Sequence, residues 1–191
     1  MTATSADVFD QGLDFFDGVA AQVGDEQWDN PSPCEDWTAL DVLGHLCTSL
    51  GMGSSILKGQ QPSWPDVARP ADLVEGDPVA FYRAAAAECR EALVGASLDD
   101  VRDTPMGPRT VAEGLAFPAI DLFVHGWDLA EAAGKQVEIP DHVIEFSHTY
   151  LDPIPEETMR GPKGAFGPEA EAPAGASPTL SFLAWTGRTP L

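Results

Sequence analysis

The chain has 191 residues, enough to bury the core of one domain, and contains no run of about 18 apolar residues that could span a bilayer. Its 31 acidic residues against 10 basic ones give a formal charge of −21, which disfavours nucleic-acid phosphates and anionic membrane surfaces as partners. Three cysteines (Cys34, Cys47, Cys89) without CxxC spacing offer no disulfide framework. Asp7, Asp10, Asp14 and Asp17 stand where a secretion signal would be basic and then apolar, so a reducing cytoplasm is expected.

Along the chain, Phe9, Leu13, Phe16, Ala20 and Val23 recur at helical spacing and predict helix one over residues 5–23. The following DEQWDNPSPCEDW reads as a loop because Pro31 and Pro33 exclude regular helix, with Trp28 and Trp37 as its anchors on the bundle. Thr38 and Asp41 form a short-armed capping box for helix two, residues 39–58. Its apolar stripe runs through Val42, Leu43, Leu46, Leu50 and Leu57. At about 100° per residue, His45 flanks that stripe.

A loop with Pro62, Pro65 and Pro70 leads to Asp77 and Pro78, an N-cap followed by proline at the first helical position. The alanine-rich VAFYRAAAAECREALVG is helix three, with Tyr82, Ala86, Cys89 and Leu93 on its buried face. After the connecting SLDDVRDTPMGP, a capping box of Thr110 and Glu113 opens helix four, which Gly134 closes. Pro118 inside it removes the N–H that the Gly114 carbonyl would accept and should kink or restart the helix. Pro140 and Asp141 start a short fifth helix, residues 153–178 are irregular, and TLSFLAWTGR provides a last helical turn or two. The expected architecture is therefore one domain over residues 1–191, with a helical core over 5–134 and an extension over 135–191.

Asp121 and His125 lie four apart on helix four, so their Cβ atoms sit about 5–6 Å from each other on one face. A carboxylate and an imidazole at that spacing suit zinc or another first-row divalent ion, nickel or manganese among them, and His45 is the natural third ligand. DLFVH is otherwise apolar, and an ionised Asp and a His buried there without partners would be costly; a shared cation removes that cost. A plain buried Asp–His hydrogen bond is the alternative. Asp128, three residues beyond His125, could accept an imidazole N–H or remain an exposed acid. Arg83 and Arg90 share a face of helix three and could receive a substrate carboxylate, although ion pairing to the many acids is the favoured role. Cys47, Cys34 and Cys89 read as small core residues, Trp127 as a packing residue, and His142 and His148 as surface residues.

PSPCEDWTALDVLGHL and IDLFVHGWDLAEAAG together resemble the DinB/YfiT-like metal-binding family, in the branch related to the N-terminal domain of mycothiol-dependent maleylpyruvate isomerase; FLAWTGRTP resembles the terminal segment of shorter members. The resemblance implies an all-α, up-and-down four-helix bundle with a metal held by His45, Asp121 and His125, the family pattern carrying Glu at the position of Asp121. Three protein ligands leave an open position, and the cation would lower the pKa of a bound water or thiol. The implied function is a metal-dependent transferase or isomerase in which a small thiol, mycothiol or a relative such as bacillithiol, adds to a small electrophile. A non-catalytic metal-binding bundle, stabilised as such or as a homodimer, and a metal-assisted hydrolase are the alternatives.

Overall fold

The computed structural model describes residues 3–61, 63, 65–104, 107–160 and 164–191; the expectation for Pro62 falls outside them. Four long helices make the core: α1 Ser5–Ala20, α2 Ala39–Leu57, α3 Pro78–Gly95 and α4 Val111–Ala132. Each begins on a side chain that accepts a backbone N–H of its first turn, from Thr4, Thr38, Asp77 and Thr110 respectively. At α1, α2 and α4 an acid at the third helical position returns the bond, so three capping boxes set three helix starts.

Cross-helix contacts fix the directions. Arg83 reaches Asp17 and Arg90 reaches Asp10 and Asp14, so α3 runs against α1. Ser49 bonds Asp121 while Ile56 lies over Gly114, so α2 runs against α4. Gly12 lies under Leu122 and Gly126 under Phe15, which makes α1 and α4 parallel. The all-α bundle stands as expected, but its directions are up, down, down, up instead of strict alternation. The physical reason is the length of the connection over residues 58–77, which is long enough to carry the chain back along the bundle so that α3 restarts beside the beginning of α2.

That connection is tied down by Asp41. Its buried carboxylate accepts N–H and O–H from Thr38 (2.9 and 2.8 Å), the Ala71 N–H (3.1 Å) and the Arg69 guanidinium. Burial works to raise this carboxyl, but Arg69 and the two N–H donors outweigh it and hold it below the ordinary carboxylate value. A short 3₁₀ turn, Pro70–Leu73, thereby packs on α2, where Gly44 lets the Pro70 carbonyl approach the helix backbone.

The core runs through Phe9, Leu13, Phe16, Leu43, Leu46, Tyr82, Phe123 and Trp127, all buried, and the Tyr82 hydroxyl donates to the Leu13 carbonyl at 2.8 Å. A smaller apolar cluster of Leu57, Ala92, Val111 and Leu115 closes the end of the bundle remote from His45. Between α3 and α4 the chain forms a hairpin, β1 Val101–Thr104 and β2 Gly107–Thr110, where the sequence suggests only a connecting segment. α4 continues through Pro118 without the expected restart; Pro118 is buried in the helix, and packing on α1 and α2 supports the turn that lacks one backbone bond.

The chain closes with α5 Asp141–Leu151, the single turn α6 Glu156–Met159 and α7 Pro178–Trp185. Phe182 and Leu183 join the main core, and Thr179 ties α7 to the Ile139 N–H at 2.8 Å. No helix among the described residues is long and apolar enough to cross a membrane.

Candidate metal centre

α2 and α4 cross with His45 and Ser49 facing Asp121 and His125. His45 Nε2 lies 3.6 Å from Asp121 Oδ2, and His125 Nε2 lies 3.3 Å from Asp121 Oδ1. One donor atom from each of the three residues falls within 4.8 Å of the others. For bonds of roughly 2.0–2.2 Å, two ligands on a tetrahedral ion sit about 3.3–3.6 Å apart; each imidazole stands at such a distance from one oxygen of the carboxylate, His45 from Oδ2 and His125 from Oδ1. The carboxylate and two imidazoles are also the donor types that a first-row divalent ion takes.

The surroundings orient each donor. The Ser49 hydroxyl donates to Asp121 Oδ2 at 2.9 Å. His125 Nδ1 lies 2.9 Å from Asp128 Oδ2; with Nδ1–H donating there, the Nε2 lone pair faces the centre of the trio. The indole of Trp37 lies against His45, centroids 4.9 Å apart, and covers the trio from the loop side. Burial alone would neutralise the Asp121 carboxyl, but the imidazoles of His125 and His45 dominate and hold it well below the carboxylate range. His125 is pushed the other way: burial lowers it, and Asp121, Asp128 and Cys34 raise it well above an ordinary imidazole. The pocket is therefore built to stabilise positive charge beside Asp121.

Asp128 is buried and receives Arg188 through Nε at 3.1 Å to each oxygen and through a terminal nitrogen, also at 3.1 Å. Burial again works to raise it, and Arg188 and His125 outweigh that and lower it. The Cys34 thiol donates to the same carboxylate at 3.3 Å and lies 4.0 Å from His125 Nδ1. Cys34, His125 and Asp128 thus form a second group of metal-ligating types, but the guanidinium on Asp128 already supplies the positive charge there. The trio with His45 carries no such guanidinium and is the better candidate for a cation.

Of the residues singled out in the sequence, His45, Asp121, His125 and Asp128 come together. Arg83 and Arg90 do not join them: their guanidinium groups bind Asp17, Asp10 and Asp14 along α1. Cys47 and Cys89 lie in the core, where burial pushes each thiol up to about 12. Cys34 does not: it is half-buried beside His125. It is held there because Ser32 accepts its N–H at 3.2 Å and donates to the Trp37 carbonyl at 3.0 Å. The position of PSPC just ahead of the α2 cap was the signal that could have placed it. Arg188 and Trp37 were likewise missed as site residues. His142 bonds Gln11, and His148 packs on Phe182 and Trp185, both away from the trio.

Residues 9–130 match the model of the mycothiol maleylpyruvate isomerase N-terminal domain family. The chain belongs to that family. Two curated relatives, the uncharacterised proteins Rv0738 and MT0763 of two Mycobacterium tuberculosis strains, are each 28% identical over 181 residues, covering 92% of this chain and 93% of the relative. Among solved structures, the mycothiol-dependent maleylpyruvate isomerase superposes with a TM-score of 0.59 at 14% identity, and a histidine-to-alanine mutant of it with 0.62 at 12%. Both superpositions cover 74% of this chain and 65% of the isomerase, so the chain spans less than two thirds of that protein's length. At such low identity the likeness carries the fold of this family domain.

Proposed function

We propose that this member of the family binds one divalent cation, zinc in preference to nickel or manganese, through His45, Asp121 and His125, and that it catalyses addition of a small thiol of the mycothiol type to a small electrophile. The observation that carries the reading is the convergence of three donors from two helices: the Asp121 carboxylate of α4 has His45 of α2 at 3.6 Å and His125 of its own helix at 3.3 Å. Held by two neutral imidazoles and one carboxylate, a divalent ion would retain net positive charge and would supply the field that favours the thiolate form of a thiol near neutral pH.

The chain's own residues do the rest. Ser49 orients the Asp121 carboxylate, and Asp128, clamped by Arg188, holds His125 in the tautomer that presents Nε2. Trp37 limits water at the loop side. In the reaction the thiol gives up its proton, its sulfur forms a bond to the electrophilic carbon, and the electron pair displaced from that carbon's double bond takes up a proton. Release of the adduct is a transferase outcome; bond rotation followed by loss of the thiol is an isomerase outcome.

Elemental analysis of protein purified without an affinity tag should find about one zinc per chain, lost in His45→Ala and in His125→Ala while far-ultraviolet circular dichroism is unchanged. Full metal occupancy in both variants would remove the proposed site. Cobalt-loaded protein titrated with mycothiol should gain a thiolate-to-cobalt charge-transfer band. Turnover of an ester or amide that needs no thiol would instead favour hydrolysis.

A further inference from the structure

Between the second half of α2 and the first half of α4 lies a cavity of about 890 Å³, within the range of small-molecule sites. Met52 and Ile56 of α2, Phe117 and Ile120 of α4, Tyr150 near the end of α5 and Ile154 just beyond it give it a mainly apolar wall. It starts one turn beyond the trio. Met52 follows His45 by two turns on the same face of α2, and Phe117 precedes Asp121 by one turn on α4.

The far end is different in kind. Arg102 and Arg109 both border the cavity there and stand directly opposite each other across the hairpin. Like charges in that position repel. In a chain with 31 acids and 10 bases, such a pairing runs against the composition. Arg102 donates to Asp100 at 3.0 Å, whereas Arg109 Nε is buried and makes no hydrogen bond. The one wall carboxylate among the described residues, Glu113, accepts the N–H and O–H of Thr110 at 2.7 and 3.1 Å as the α4 capping box. A buried guanidinium N–H without an acceptor is costly, and an incoming carboxylate is the acceptor whose geometry fits.

We propose that the cavity binds an elongated, largely apolar molecule ending in a carboxylate, with the acid held by Arg102 and Arg109, the body lying between α2 and α4, and the other end directed at the His45–Asp121–His125 centre. Only the last clause rests on the proposed function. The helix from Val111 to Asp121 rises about 15 Å, so a ligand joining the two ends is extended, on the order of ten carbons long.

Decanoate and decan-1-ol, titrated calorimetrically into the full-length protein, differ in the carboxylate alone. Decanoate should bind about tenfold or more tightly than the alcohol, and Arg102→Gln/Arg109→Gln should erase that difference while leaving alcohol binding and the melting temperature unchanged. Met52→Trp, which fills the cavity, should weaken both ligands. No binding of decanoate to the wild type, equal binding of acid and alcohol, or undiminished decanoate binding in the double arginine variant overturns the proposal. The same titration in His45→Ala separates the two readings, because decanoate should still bind there when the metal is lost.

Discussion

Asp128 ties three other side chains of the site together, receiving His125, Cys34 and Arg188 while fully buried. A buried ion pair adds little over apolar packing, yet removing one partner strands the other charge. Arg188→Met should therefore lower urea-unfolding stability by about 3 kcal/mol, and Asp128→Asn/Arg188→Met should lose clearly less than the sum of the two single changes. Strict additivity would mean that the two groups do not couple. The same cluster marks where sequence reasoning stops. His45, Asp121, His125 and Asp128 sit at helical spacings, so periodicity and the family motifs point to them together. Cys34 and Trp37 arrive on a loop, and Arg188 arrives from the last turn of the chain, 60 residues from its partner. Nothing periodic announces such contacts, and Cys34 consequently reads as an ordinary core cysteine until the fold brings it to His125.

Helix starts were legible because caps are local: Thr38 with Asp41 and Thr110 with Glu113 need only four residues of sequence. The hairpin was not, since each strand has four residues and one contains Pro108, too short for alternation to stand out. The directions of α2 and α3 depend on a long connection whose path is set by tertiary contacts of Asp41 and Gly44. Two predictions follow from those contacts. A Cβ on Gly44 would collide with the Pro70 carbonyl, a backbone atom that cannot rotate away, so Gly44→Ala should cost about 1–3 kcal/mol in urea unfolding. An unchanged midpoint would show that the 3₁₀ turn shifts freely. Asp41 has a folded-state pKa below its ordinary 3.8, so its stabilising contribution is present above about pH 4 and is lost as the pH falls through the lowered value. Asp41→Asn should flatten the acid limb of the stability profile that falls away below about pH 4; an unaltered acid limb would assign it to other carboxylates.

Across the whole molecule the charge imbalance sets two opposing responses to salt. Exposed pairs such as Arg83–Asp17, Arg90–Asp14 and Lys58–Glu88 weaken as ions screen them, and each contributes little to begin with. Repulsion among 31 acids facing only 10 bases is screened at the same time. The acids outnumber their partners threefold, two bases, Arg69 and Arg188, are already committed to the buried carboxylates of Asp41 and Asp128, and long-range repulsion falls steeply as the Debye length shrinks from about 30 Å at 0.01 M salt to about 8 Å at 0.15 M. Relief of repulsion should win. The melting temperature is expected to rise by about 3 °C over that range, corresponding to roughly 1 kcal/mol for a chain of this size. At matched ionic strength sodium chloride and potassium chloride should give the same rise, which separates screening from ion-specific binding. A melting temperature that falls with added salt would show that the surface pairs, not the unpaired acids, dominate the electrostatics of the folded bundle.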